Sequence, residues 1–140
     1  MLRIARRPTD VRRGAATAEL AVLLPFIAFL AVIAADWARI YYMTITANAA
    51  ARNGALWASD SIYATTTGYA DLTTAALAEC PNMSPTPTVT PSSTTDTAGN
   101  AAVIVTVTIT FNTAVSFPGV PSTNTVTRTC QMRIAPTVTN

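Results

Sequence analysis

The chain contains no histidine and no lysine. Histidine is the commonest general base near neutral pH and the commonest metal ligand. A Ser-His, Cys-His or histidine-metal site therefore cannot be assembled from these 140 residues. Charge is scarce as well: 11% of residues are charged and 50% are apolar, against roughly 25% charge in soluble domains. Without charge, much of the polar surface must come from threonine, which is abundant beyond Thr65. No metal-ligand spacing and no phosphate-binding glycine loop is present. These absences lead us to expect a non-enzymatic protein with no catalytic residue, no cofactor, no metal and no small-molecule substrate.

The charge that exists is unevenly placed. Arg3, Arg6, Arg7, Arg12 and Arg13 all precede Gly14, with Asp10 as the only acid among them. From Ala15 onward four arginines face six acids. A basic cluster can grip nucleic acid, but here an apolar run follows at once, so no nucleic-acid partner is expected. Arginines ahead of an apolar run keep the N-terminus cytoplasmic. Everything beyond the run then lies outside the cytoplasm.

Residues 1–14 read as a basic cytoplasmic leader. Residues 15–35 are apolar apart from Thr17, Glu19 and Pro25. As a helix they span roughly 31 Å, close to the hydrocarbon thickness of a bilayer. We expect a transmembrane segment over 15–36 and an extracytoplasmic domain over 37–140. Helical character continues past Asp36, because no Gly or Pro interrupts the chain before Gly54. Trp37, Tyr41 and Tyr42 sit where an aromatic belt meets the membrane interface. Ala47, Ala51, Ala55 and Ala58 then recur at helical spacing and let another layer pack close. One helix is expected over about 15–58, loosened at Pro25.

Residues 59–68 read as a loop, 69–79 as a short second helix stopped by Pro81, and 82–100 as a proline-rich loop. Residues 101–117 give the clearest strand signal, with Val103, Val105, Val107, Ile109 and Phe111 alternating with Ile104, Thr106, Thr108 and Thr110. Residues 117–121 supply a turn, and 124–134 a second strand. The expected fold class is α+β: a long N-terminal helix packed on a small antiparallel sheet, with a second short helix.

One constellation carries chemistry. Arg12-Arg13-Gly14-Ala15 is followed by Glu19, five residues past the glycine and just inside the apolar helix. A carboxylate within a membrane helix is costly and usually functional. This arrangement resembles the processing site of type IV pilin-like proteins. It resembles more narrowly the TadE-like minor pseudopilins of tight-adherence (Tad, or Flp) pili. Leu24-Pro25, then Asp36, Arg39, Tyr41 and Tyr42, then the alanine-rich segment around Arg52 and Gly54, carry that resemblance. Leu56-Trp57 stand where such proteins often carry an arginine.

The resemblance implies a pilin-like fold and cleavage between Gly14 and Ala15 by a prepilin peptidase. Glu19 would then partner an N-terminal amine during assembly. The implied partners are the inner membrane, the prepilin peptidase, a major Flp-type pilin, a TadF-like pseudopilin and the Tad membrane platform. The implied role is pilus assembly and adhesion. The competing reading is a secreted or membrane-anchored β-rich surface protein with an ordinary signal peptide, cut after Val32-Ile33-Ala34. Glu19 is out of place in a signal's apolar core.

Cys80 and Cys130 fall in the exported part, where an oxidising compartment favours a disulfide. Such a bridge would stabilise the fold by roughly 4 kcal/mol in the chain-entropy model. Two free thiols are the alternative, since spacing does not show that the residues meet.

Overall fold

The computed structural model describes the backbone at residues 9–114 and 122–136, and side chains from residue 14 onward. In chain order the elements are α1 (Thr9–Ser59), α2 (Ser61–Thr66), α3 (Leu72–Leu77), β1 (Thr88–Thr95), β2 (Ala101–Asn112) and β3 (Thr123–Arg133). The strands form one antiparallel sheet in the order β1-β2-β3. The fold is α+β, as the sequence implies. The expected turn over 117–121, like Arg3, Arg6 and Arg7, lies outside the described residues.

The chain divides into two compact units, Met1–Trp37 and Ala38–Asn140. In the first, α1 is the only described element. Leu20, Val22, Leu23, Leu24, Phe26, Ile27, Leu30 and Val32 are all exposed on it. A helix apolar on every side and uncovered by protein suits lipid rather than water. Among the described residues this is the one helix long and apolar enough to cross a membrane. The helix runs through Pro25, whose missing N–H deprives the Ala21 carbonyl of its usual donor. It also begins earlier than expected, at Thr9 rather than near Ala15. Arginine is a good helix former, so residues 9–14 join the helix.

In the second unit, the rest of α1 lays its small residues on the sheet. Ala47, Ala50, Ala51 and Ala55 are fully buried, with Met43 nearly so. They share a core with Val103, Val105, Val107, Ile109 and Phe111 of β2 and Val126 of β3. The β2 alternation thus puts its odd residues inward, as strand periodicity requires. The opposite face carries a hydroxyl ladder between β2 and β3. Thr106 meets Thr129 at 3.2 Å, Thr108 meets Thr127 at 3.2 Å, and Thr110 meets Thr125 at 3.0 Å.

Three sequence expectations need correction. Residues 59–68 are not all loop, because α2 forms at Ser61–Thr66. Asp60 caps it, its carboxylate accepting from the N–H of Ile62 at 2.8 Å and of Tyr63 at 3.3 Å; the cap outweighs a threonine-rich composition. The helix expected over 69–79 shrinks to Leu72–Leu77, started by the Asp71 carboxylate on the Thr74 N–H at 2.6 Å. The proline-rich stretch contains a strand, β1, whose pairing with β2 overrides weak local propensity.

The ladder phase explains why Pro91 is tolerated in β1. Asp96 N–H donates to the Asn100 carbonyl at 2.8 Å, which fixes that pair as hydrogen-bonded. Pairs alternate along an antiparallel ladder. Thr88, Thr90, Ser92 and Thr94 therefore direct their backbone groups at β2, while Val89, Pro91, Ser93 and Thr95 direct theirs outward. The N–H that proline lacks is one that β2 never needed.

Candidate functional site

Gly14 and Ala15 lie within α1, both exposed, and the Thr17 hydroxyl donates to the Gly14 carbonyl at 3.2 Å. Glycine weakens a helix interior by about 1 kcal/mol relative to alanine, so a glycine here calls for a reason. Conformation is not the reason, because only Gly68 and Gly99 take positive φ among the described residues. Packing is not the reason either, since a Cβ added at Gly14 would meet nothing within 4 Å.

Gly54 presents the opposite case. A Cβ there would lie 3.1 Å from Ala76 Cβ, 3.3 Å from Val105 Cγ1 and 3.6 Å from Leu72 Cδ2. Here α1 packs against both α3 and β2, and an added side chain would force its neighbours to shift.

One helical turn after Ala15, Glu19 is exposed on the apolar helix. With Ala18, Val22 and Leu23 it lines a shallow groove on the helix surface. The sequence-derived set Gly14, Ala15 and Glu19 thus falls on two successive turns of one helix. Trp37, Tyr41 and Tyr42 are each more than half exposed.

Cys80 is buried in the core, and Cys130 packs against the same cluster. Both are free thiols in this structure. Burial, then the neighbouring Glu79 charge, pushes the Cys80 thiol above its ordinary range.

Sequence reasoning missed Asn53. It is buried on α1 and holds both short helices. Its Nδ2 donates to the Ala75 carbonyl at 2.8 Å and to Glu79 Oε1 at 3.4 Å, and its Oδ1 accepts from Tyr63 Oη at 2.7 Å. The available signal was an amide side chain set among the alanines of the stripe.

Residues 14–56 match the model of the TadE-like protein family. The match starts at Gly14, includes Glu19, Pro25 and the buried alanine stripe, and ends just past Gly54 and Ala55; it covers less than a third of the chain. No curated protein and no solved structure matches the chain. Over this N-terminal segment the chain is similar to the TadE-like family.

Proposed function

We propose that the protein is a minor pseudopilin of a Tad pilus, anchored in the bacterial inner membrane with its N-terminus cytoplasmic. On this reading a prepilin peptidase cuts between Gly14 and Ala15, and the mature protein acts without catalysis in pilus assembly and adhesion. Its partners are the peptidase, the major Flp-type pilin, a TadF-like pseudopilin and the Tad membrane platform. The family match supports association with a Tad pilus in general.

One observation carries the finer reading. Glu19 is exposed on an otherwise apolar helix, five residues after a glycine that neither φ nor packing requires. A protease must open the helix to reach the bond, and a glycine lowers that local cost. Cleavage leaves an α-amino group on Ala15, largely cationic near neutral pH. Glu19 is one turn away from it on the same helix. A carboxylate opposed by an amine is far better tolerated at low dielectric than an isolated one. The amine belongs to the same chain or to a neighbouring subunit.

N-terminal sequencing of protein taken from native membranes tests this. A start at Ala15 supports the reading. A start at Ala35 or Asp36 means a conventional signal peptide and overturns it, as does retention of residues 1–14. With cleavage intact, Glu19→Ala should abolish pilus assembly. Normal fibres from that variant would remove the electrostatic role of Glu19.

A further inference from the structure

The two edges of the sheet are not equivalent. On β1, Pro91 stands at an outward-directed position with no N–H to offer, which blunts that edge. On β3 the phase follows from two bonds. Thr113 N–H donates to the Ser122 carbonyl at 3.1 Å, and Ile134 N–H to the Ala101 carbonyl at 2.9 Å. Even-numbered β3 residues therefore face β2. Thr123, Thr125, Thr127, Thr129, Gln131 and Arg133 direct their N–H and C=O groups away from the sheet. Those six residues are exposed, and no proline interrupts the strand.

Arg128 marks this edge with charge. It pairs with Val107 on the core-facing side of β3 yet is exposed. Its Nη1 donates to the Thr127 carbonyl at 3.1 Å. By the ladder phase, that carbonyl points off the edge. Among the described residues no carboxylate pairs with Arg128. On the other face, the threonine ladder of β2 and β3 ends at Thr125, Thr127 and Thr129.

We propose that the free edge of β3 accepts an added β-strand from a different protein subunit. That strand alternates hydroxyl and apolar residues and sets a carboxylate opposite Arg128. Main-chain bonds to the outward groups of 125–131 give affinity, as in strand addition generally. Hydroxyl residues extend the threonine ladder on one face. Apolar residues cover the half-buried Cys130 and Met132 on the other. The charge disfavours a second copy paired antiparallel about the middle of this edge, because the two Arg128 side chains would then approach each other. This inference does not depend on the pilus reading.

The test uses the full chain in detergent micelles and a peptide alternating threonine and valine with one central glutamate. Amide exchange is followed residue by residue by NMR. The peptide should slow exchange at Thr125, Thr127, Thr129 and Gln131, and leave the already bonded Arg128 and Cys130 amides unchanged. Thr127→Pro removes an outward N–H without touching the β2 ladder and should abolish binding. Arg128→Glu should weaken the glutamate peptide by up to about fivefold and favour a lysine peptide by the same factor. If Thr127→Pro fails to fold, the charge swap decides alone. Absence of protection on these four amides, or binding indifferent to both substitutions, overturns the proposal. Protection of the same amides in the peptide-free protein through self-association overturns the choice of partner.

Discussion

Tyr63 donates its hydroxyl to Asn53 Oδ1 at 2.7 Å, and through that amide α2 and α3 are both fastened to α1. Asn53 is buried and uses both ends of its amide. Asn53→Ala would strand the Ala75 carbonyl and the tyrosine hydroxyl, at a cost of about 1–3 kcal/mol. Tyr63→Phe removes one bond and should cost about 0.5–1.5 kcal/mol. Urea unfolding of the two variants checks both size and order. Equal losses would show that Asn53 acts only through Tyr63.

The two helical glycines separate folding from processing. At Gly54, alanine gains about 1 kcal/mol of helix propensity but must displace Ala76 and Val105, and overpacking typically costs about 1–3 kcal/mol. Gly54→Ala should therefore lower the melting temperature. Gly14→Ala meets open space and should leave stability unchanged or slightly raised. On the proposed reading it should also leave the precursor uncut, which gel mobility reports directly.

Acid should loosen the second unit, Ala38–Asn140, at two turns. Backbone and side-chain hydrogen bonds from Thr74 hold the Asp71 carboxyl below its ordinary range. The Asn100 N–H and side-chain amide do the same for Asp96. A depressed native pKa means stability that is complete above the unfolded-state value and is lost as pH falls through the lower native one. Asp71 is exposed and Asp96 only partly covered, so the effect is small. Melting curves from pH 7 to 2 should fall below about pH 4, and less steeply for Asp96→Asn.

The thiols should differ in reactivity. Only the thiolate attacks an alkylating reagent, and Cys80 is buried with its thiol pushed up. Native protein should therefore alkylate at Cys130 first and at Cys80 only after unfolding. If unreduced, unfolded protein takes up no label at all, the two are bridged in the protein as expressed.

The sequence shows plainly whatever repeats at a single period. The β2 alternation, the alanine spacing of α1 and the apolar run each state their partner surface, because every residue in the pattern obeys the same geometry. Gly14 and Glu19 stand out for a related reason, as local exceptions inside a regular helix. Asn53 was not legible, since its partners Tyr63 and Ala75 belong to helices whose placement depends on caps at Asp60 and Asp71. β1 was hidden because Pro91 argues against a strand until the ladder phase shows which way its nitrogen faces. That Cys80 and Cys130 share one core is likewise a tertiary fact.

Pro91 also limits how far such sheets can grow. Subunits that offered two open edges of matching hand would add to one another without end, as heterologous contacts that fail to close do. A sheet open only along β3 completes itself after one addition. On the proposal that β3 takes an added strand, the sheet accepts one neighbour there while its proline-blunted β1 edge resists runaway addition.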